Sequence, residues 1–340
     1  MAIRRHAFGT KGGHRFMETL IIGAGSLGSL LAARLSAAGV PVTLFGRPSP
    51  HLSRIASKWL TVEEPAGSRL TVRLRTGSYE HPVRLPALAI VAVKTWATED
   101  ALRRIIPSLD QVEAVLTLQN GLGNAQRIKA ILPARTRVLT GVTTQGALRT
   151  EPGVVRDTGP GDTWIGSEFL NEDPGALDIA KRVAATLDGA GWKASAVEDI
   201  LPHLWMKLAT NAALNPLTAL TRVSNGEIAN DPNLAQLAAY LATEAAAVAS
   251  ALGIQIDDPV GQALEVARAT GENRSSMLRD IEQRRRTETE AITGAIHELG
   301  EAYGVNTPIT TMMTIMMYAL ERGISASAVE ADPISTPAEE

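Results

Sequence analysis

The chain of 340 residues contains no cysteine. This absence excludes disulfides, thiolate nucleophiles and cysteine metal ligands, and it fits the reducing cytoplasm, where we expect the protein to reside. Histidine is scarce as well, because the six histidines form no H-E-x-x-H or similar pair. The sequence therefore predicts no metal site, and its chemistry must be sought in other side chains.

A strong charge imbalance and a long apolar run are also missing. Lysine and arginine number 33 against 36 aspartates and glutamates, a net charge of −3, so nothing in the charge favours a nucleic-acid partner. No apolar run approaches the length of a membrane span. With 45% hydrophobic residues, the chain has the composition of an ordinary globular protein with room for two domains. We expect a small-molecule partner, and the oligomeric state stays open, with a homodimer as one outcome.

The two ends of the chain lie outside the pattern of a folded domain. Residues 1–16 are basic, precede Met17 and lack the apolar segment of a secretory signal. We favour a disordered extension there, with a weak transit-like segment or an upstream start codon as alternatives. Residues 325–340 are polar and end in two glutamates, so we expect a flexible tail.

A glycine-rich turn follows the first apolar run. Thr19–Ile22 is typical of a strand, and residues 29–35 have the pattern of a helix. Between them stands a G-x-G-x-x-G sequence made of Gly23, Ala24, Gly25, Ser26, Leu27 and Gly28. The spacing allows a tight turn, the approach of a pyrophosphate to the helix N-terminus, and close packing of helix on strand. Because a second strand at 41–45 completes a βαβ unit, the sequence predicts a dinucleotide site.

The end of the second strand indicates which dinucleotide is bound. NAD-binding units usually carry an acid there to hold the ribose 2′-hydroxyl, but this chain has Phe45, Gly46 and Arg47. Arg47 offers a planar, permanently charged fork to a 2′-phosphate. The sequence therefore favours NADP(H), with an ordinary loop arginine as the alternative.

The rest of the first half alternates strands with helices. The predicted elements are a hairpin over residues 60–62 and 70–74, followed by buried strands over 87–93, 112–118 and 138–144. Ligands collect beyond the carboxyl ends of strands in an open parallel sheet, so Lys94, Asn120 and Thr144 fall on the cofactor edge. A capping or loop role is the alternative for each, and for Thr144 it is the favoured one.

After one more predicted strand, over residues 192–197, the pattern becomes helical almost to the end of the chain. Long helical runs are predicted over 234–252 and 275–301. We therefore predict an α/β dinucleotide-binding domain over residues 17–197 and an all-α domain over 198–324 that holds the substrate.

One helix of the second half carries a polar stripe. Lys207, Asn211 and Asn215 follow one another at four-residue steps and so share one edge of a helix whose other residues are mostly apolar. Polar groups on a buried helix need partners. A cation beside carboxamides suits an oxyanion or a carboxylate, and a surface lysine with incidental asparagines is the alternative.

Further short motifs lie at residues 93–96 (VKTW), 119–123 (QNGLG), 205–211 (WMKLATN), 215–219 (NPLTA), 272–278 (ENRSSML) and 286–288 (RTE). Together with the glycine turn and Arg47, they resemble the motifs of the 2-dehydropantoate 2-reductase (ketopantoate reductase) family. This resemblance implies a Rossmann domain, then a helical domain akin to that of 6-phosphogluconate dehydrogenase, with the active site between them. It also implies NADPH-dependent reduction of ketopantoate to pantoate in pantothenate synthesis.

Hydride addition to a ketone leaves charge on oxygen, so a donor must stabilise or protonate that oxygen, and Lys207 is the candidate acid. Desolvation would lower the pKa of Lys207, and a nearby carboxylate such as Glu288 would oppose that effect. The resemblance places Glu288 in the site and Asn120 near the nicotinamide and the substrate. It gives substrate-binding roles to Asn211, Asn215, Asn273 and Ser276.

Structural or surface roles are the alternatives to active-site roles for some of these residues. Arg284 and Arg285 stand four and three residues before Glu288 and would form plain helix-surface pairs with it. We interpret Asp280 as a structural or solvated acid and His203 as a cap or surface residue. Two other functions remain: a paralogous reductase of another 2-oxo acid, and a non-catalytic NADP-sensing protein on the same scaffold.

Overall fold

The computed structural model describes residues 17–78, 87–105 and 112–330, with side chains described as far as residue 324. The predicted extension over residues 1–16 lies outside these ranges, as does the tail from residue 331 onward. Residues 325–330, which we expected in a loose tail, belong instead to the helix that begins at Pro308.

The described residues form two compact units. The first comprises residues up to Gln119 together with Asn124–Ile200, and the second comprises Asn120–Gly123 together with the residues from Leu201 onward. The division after Ile200 lies three residues beyond the boundary expected from the sequence.

The first unit holds the strands. They are β1 (Thr19–Ile22), β2 (Val42–Gly46), β3 (Leu60–Glu63), β4 (Arg69–Val72), β5 (Arg75–Ser78), β6 (Leu88–Val91), β7 (Ala114–Thr117), β8 (Arg137–Thr143), β9 (Gly146–Glu151), β10 (Val154–Gly159), β11 (Thr163–Gly166) and β12 (Ala194–Ala196). Its helices are α1 (Ser26–Ala37), α2 (Pro50–Ser57), a 3₁₀ turn (Thr95–Ala97), α3 (Thr98–Arg103), α4 (Asn124–Ile131) and α5 (Ala176–Asp188).

The main sheet of this unit has the strand order β12-β11-β8-β7-β6-β1-β2-β5. β1, β6 and β7 are buried along their whole length, as their continuous apolar sequences predict. Ile22 pairs with both Phe45 and Val91, so β1, β2 and β6 end at the same edge of the sheet. The sheet is mixed, because β11 runs antiparallel to β8, a reversal that the sequence analysis did not predict.

A second, smaller sheet has the order β4-β3-β10-β9. The predicted hairpin is confirmed as β3 and β4, which pair antiparallel. Arg34 on α1 binds both oxygens of Glu64, at 2.7 and 2.6 Å, and one oxygen of Asp157 on β10 at 2.7 Å. These charge-assisted bonds attach the second sheet to α1.

A buried histidine connects α1, α2 and the turn between β9 and β10. Nδ1 of His51 accepts the amide of Gly153 at 2.9 Å, and its Nε2 lies 3.0 Å from the hydroxyl of Ser29. Because Nδ1 accepts, the neutral ring carries its proton on Nε2 and donates it to Ser29. Burial lowers the pKa of His51 to about 4, and the charge of Arg149 acts in the same direction.

Acidification is therefore expected to destabilise the fold through His51. Between pH 6.5 and pH 4 the unfolded chain binds a proton at this ring and the folded chain does not. The free energy of unfolding should be unaffected by His51 above pH 6.5 and should fall by on the order of 2 kcal/mol towards pH 4. Urea unfolding at several pH values measures it.

His51→Asn is the matched control, because asparagine retains an acceptor for the Gly153 amide and does not titrate in this range. Carboxyl groups also titrate near pH 4 in both proteins. The contribution of His51 is therefore the difference in the pH dependence of the free energy of unfolding between the wild type and His51→Asn. Equal pH dependence in both would contradict the role given to His51.

The second unit is helical in its described part. Its elements are α6 (Leu201–Thr221), α7 (Asn225–Asn230), α8 (Pro232–Ala251), α9 (Pro259–Ala269), α10 (Ser276–Glu282), a π-helical turn (Glu290–Gly294), α11 (Ala295–Tyr303) and α12 (Pro308–Glu330). α6 is buried over most of its circumference and contacts α8, α9, α10 and α12. The sequence prediction of a helix buried on most sides is confirmed.

Two expectations for this unit are wrong. The single helix expected over residues 275–301 is broken after α10, where Arg284 has a φ of 52°. Arg285 folds back there: its amide donates to the Asp280 carbonyl at 2.8 Å and its guanidinium binds the Asp280 carboxylate at 2.7 Å.

The second expectation was that no apolar run approaches the length of a membrane span. Helix α8 has the length and apolar composition that would suffice for one. One face of α8 is buried in the core of this unit, through Ala238, Leu241, Ala242, Ala245, Val248 and Ala249.

Candidate active site

Each glycine of the G-x-G-x-x-G turn in the first unit has a separate structural reason. Gly23 has a φ of +126°, and a Cβ there would lie 2.7 Å from the carbonyl of Ala92. A Cβ at Gly25 would meet nothing within 4 Å, so this residue faces open space. A Cβ at Gly28 would overlap the Gly23 carbonyl, so glycine lets α1 pack close to β1. The three roles are those of a dinucleotide turn.

The N-terminus of α1 is suited to bind a phosphate. Gly25 is its N-cap and supplies no side-chain acceptor, and its first turn carries no acidic residue. The hydroxyl of Ser26 accepts the amide of Arg149 at 2.9 Å, which attaches β9 beside the turn. The amides of the first turn therefore face no competing capping side chain, and together with the helix dipole they favour an anion.

Arg47 and Lys94 lie at the same edge of the sheet as the glycine turn. Arg47 follows the last residue of β2 directly and is exposed. Its neighbour Gly46 lies against Ala24 of the turn, since a Cβ there would be 3.3 Å from the Cβ of Ala24. Lys94 stands three residues after β6 and is the N-cap of the 3₁₀ turn. These positions fit a dinucleotide with a phosphorylated ribose.

In the second unit, Lys207, Asn211 and Asn215 all lie on α6, as predicted. Asn215 is buried, and the other two are partly buried. The polar stripe is therefore real, and it lies on a helix that is otherwise largely core.

Burial lowers the pKa of Lys207 to about 8, and the charge of Glu288 opposes that shift. Both effects, and both directions, are those expected from the sequence. At pH 7 the amine is still mostly protonated, yet it releases its proton more readily than an exposed lysine does.

Glu288 does not lie on a helix surface. It stands in the segment between α10 and the π-helical turn and is only 6% exposed. Arg285 binds Asp280, and Arg286 binds Glu290 at 2.8 Å. The alternative of plain helix-surface pairs is therefore wrong, and Asp280, 1% exposed, is the structural acid that we expected.

Asn273 and Ser276 flank the N-terminus of α10, which packs on α6. The Asn273 backbone amide donates to Thr270, and its carbonyl accepts from Asn225. Ser275 caps α10 by accepting the Leu278 amide at 3.0 Å. Its hydroxyl also lies 2.7 Å from that of Thr218, which is three residues after Asn215 on α6. Sequence reasoning missed this Thr218–Ser275 link, although Thr218 continues the helical spacing of the polar stripe.

Asn120 belongs to the second unit through the short segment 120–123. Gly121 has a φ of +84°, and a Cβ there would overlap the carbonyl of Ala291. The Leu122 amide donates to that same carbonyl at 2.9 Å. Asn120 is thereby attached to the π-helical turn that follows Glu288.

Three remaining candidates are less informative. Thr144 exchanges hydrogen bonds with the backbone of Asp162, so its loop role is confirmed. His203 lies inside the first turn of α6 and is partly buried, and its interpretation as a cap or surface residue stays a prediction. Within the residues that the structure describes, no group of three or more histidine, aspartate or glutamate side chains could hold a metal ion.

Two family models match the chain. "Ketopantoate reductase PanE/ApbA" covers residues 19–168, and "Ketopantoate reductase PanE/ApbA C terminal" covers residues 199–321. A 2-dehydropantoate 2-reductase of Halobacterium salinarum is 35% identical over 308 residues, which span 90% of this chain and 99% of the relative. The 2-dehydropantoate 2-reductase of Archaeoglobus fulgidus is 35% identical over 312 residues, which span 91% of this chain and 100% of that relative.

Two solved structures are similar over nearly the same range. D-mandelate dehydrogenase in a ternary complex with NADH and anilino(oxo)acetate has a TM-score of 0.83 at 26% identity, with 90% of this chain and 99% of that one covered. A PanE/ApbA family ketopantoate reductase from Ralstonia eutropha has a TM-score of 0.79, with the same identity and coverage.

Proposed function

The chain belongs to the ketopantoate reductase PanE/ApbA family, and from this premise we propose that it reduces 2-dehydropantoate to (R)-pantoate with NADPH, a step in pantothenate and coenzyme A synthesis. The observation that carries the proposal is the partly buried Lys207, with its pKa of about 8 and Glu288 acting on it. Such a group is suited to protonate a ketone oxygen. The site residues imply a small-molecule substrate.

The residues present in the first unit fit NADP(H). The amides at the start of α1, from Ser26 onward, and the open space at Gly25 suit the pyrophosphate. Arg47 suits the 2′-phosphate, and Lys94 supplies a further positive charge at the same edge. When bound, NADPH supplies the hydride that reduces the ketone carbon.

In the second unit, Lys207 donates the proton that the reduced ketone oxygen requires, and Glu288 keeps the amine charged until then. Asn211, Asn215, Asn273 and Ser276 donate hydrogen bonds to the carboxylate and hydroxyl of the substrate. Asn120 is the remaining residue that binds the substrate. Each of these groups binds or orients the substrate, and only Lys207 transfers a proton.

Arg47→Ala is expected to raise the KM for NADPH roughly tenfold or more and to leave the KM for NADH nearly unchanged. Loss of a charged fork on a phosphate costs about 1.5 to 3 kcal/mol, and NADH has no phosphate at that position. Steady-state kinetics with both cofactors measure it. Arg54→Ala, on α2 in the same unit, is the control. An equal loss with NADPH and NADH would refute the assignment.

One specific observation favours a second function. D-mandelate dehydrogenase, which shares this fold, is seen with NADH and anilino(oxo)acetate. A paralogous reductase of another 2-oxo acid therefore remains the alternative. A non-catalytic NADP-sensing role has less support, because a sensor would need the glycine turn and Arg47 but not the pair Lys207 and Glu288.

The direct test is a spectrophotometric assay of NADPH oxidation with 2-dehydropantoate and a panel of other 2-oxo acids. We expect oxidation that depends on 2-dehydropantoate. No oxidation with any 2-oxo acid would favour the sensor, and oxidation only with unrelated 2-oxo acids would favour the paralogue. We expect the protein to reside in the cytoplasm. A homodimer is one possible oligomeric state, and sedimentation velocity measures which state the protein adopts.

A further inference from the structure

A carboxylate on α12 is attached to the segment that carries Glu288. Oε1 of Glu321 accepts the backbone amide of Thr287 at 3.1 Å and also accepts the Thr287 hydroxyl. Glu321 stands 34 residues from Thr287 in the sequence. Helix α12 therefore holds the residue that directly precedes Glu288.

The proton positions in this network follow from chemistry. A carboxylate only accepts, so the single hydroxyl proton of Thr287 goes to Glu321. The hydroxyl of Thr289, 2.7 Å away, must then donate to the Thr287 oxygen, as the Thr289 amide also does at 3.1 Å. The backbone amides on both sides of Glu288 are thus held by one network that includes Glu321.

The carbonyl of Glu288 is held as well. It accepts the amides of Ala291 and Ile292, each at 3.1 Å, at the start of the π-helical turn. Thr287, Glu288 and Thr289 are only 2%, 6% and 1% exposed. Water has little access to replace a lost partner, so removal of the Glu321 carboxylate would leave buried donors unpaired and favour a rearranged segment.

Glu321 does not act on Lys207 through its own charge. Among the described residues, the carboxylate that shifts the pKa of Lys207 is Glu288. Arg286 pairs with Glu290 beside the segment, and Glu321 itself is among the acids that, after burial, raise the pKa of Tyr318. Any influence of Glu321 on Lys207 must therefore pass through the position of Glu288.

We propose that Glu321 is a positioning residue of the reductase: by holding Thr287, it keeps the Glu288 carboxylate where it supports the charged form of Lys207. The inference rests on the proposed function for its catalytic meaning, and its structural part is testable without substrate.

The test measures the pKa of Lys207 directly, in the full chain without substrate. Acetic anhydride acetylates unprotonated amines, and mass spectrometry of the peptide that contains Lys207 gives its labelling rate at each pH. Glu321→Ala should lower the midpoint of the Lys207 titration by about half a pH unit or more. The displaced Glu288 carboxylate would then oppose the desolvation of Lys207 less effectively. Glu321→Gln retains the acceptor and should stay near the wild type. Glu301→Ala, which removes an exposed glutamate on α11, is the control.

In kinetics with NADPH and 2-dehydropantoate, Glu321→Ala should lower kcat roughly tenfold and leave the KM for NADPH unchanged, and Glu321→Gln should restore most of the loss. An unchanged Lys207 midpoint in folded Glu321→Ala would overturn the proposal. If that variant does not fold, Thr287→Val removes the hydroxyl together with its bonds to Glu321 and Thr289, and it keeps the bond from the Thr287 amide to Glu321. It should shift the midpoint in the same direction, and no shift would again overturn the proposal. Wild-type protein inactive on every 2-oxo acid would instead count against the proposed function, and the labelling result would still decide the role of Glu321.

Discussion

Lys207→Ala is expected to lower kcat by a factor of about 10² to 10⁴ while the protein still folds and binds NADPH. Alanine removes the proton donor for the developing alkoxide. The glycine turn and Arg47 belong to the other unit and are unchanged by the substitution. The same assignment predicts that wild-type turnover falls above about pH 8, because burial places the pKa of Lys207 there and only the charged amine can donate.

Stopped-flow and steady-state measurements of NADPH oxidation test this, with fluorescence titration of NADPH as the check on binding. Lys181→Ala is the matched control, because that lysine is 62% exposed on α5. Glu288→Ala should also be impaired, with part of its loss in substrate affinity. Near-wild-type turnover of Lys207→Ala would exclude this lysine as the acid.

Much of the dinucleotide half was predictable because its signals are local. The strand, glycine turn and helix at residues 19–37 depend on glycine conformations and apolar runs that lie within a few positions of each other. The polar stripe was predictable for the same reason, since a four-residue step on α6 does not depend on other elements. The family membership inferred from these motifs is confirmed by the matching family models.

The features that sequence reasoning missed depend on distant partners. The antiparallel orientation of β11 relative to β8 is determined by pairing across the sheet, and the local sequence of β11 does not indicate it. The break after α10 has neither glycine nor proline to mark it. It requires Arg285 to turn back onto Asp280, which a helical pattern cannot reveal. The bond from Glu321 to Thr287 spans 34 residues and is likewise invisible in the sequence pattern.

The site chemistry was half predictable. The sequence supplied the types of group at Lys207, Glu288 and the asparagines, and the family resemblance supplied their roles. The surroundings of Glu288 could not be derived, because a helix-surface pair and a buried carboxylate share the same local sequence. Burial of the segment, which only tertiary packing provides, separates the two.

The polar groups of the second unit predict the preferred substrate. 2-Dehydropantoate differs from 2-oxoisovalerate by a terminal hydroxyl. Asn211, Asn215, Asn273 and Ser276 offer more donors and acceptors than a carboxylate and a ketone alone require. Within the part of the chain that the structure describes, the side chains of these four residues make no hydrogen bond to another protein group. They do not satisfy one another or the helix backbone, so the surplus is available to a ligand.

We therefore expect kcat/KM for 2-dehydropantoate to exceed that for 2-oxoisovalerate by at least roughly a hundredfold. A site that hydrogen-bonds a hydroxyl leaves its own buried groups unpaired when the hydroxyl is missing, and rejection by factors up to about 10⁴ is known for such sites. A water molecule retained in place of the hydroxyl would reduce this discrimination. Both substrates should be measured at saturating NADPH, with Asn215→Ala as a variant, because loss of one buried carboxamide should shrink the ratio if it binds the hydroxyl. A ratio near one in the wild type would mean that the free amides recognise something other than a hydroxyl, and the paralogous reductase would then be the better description of this chain.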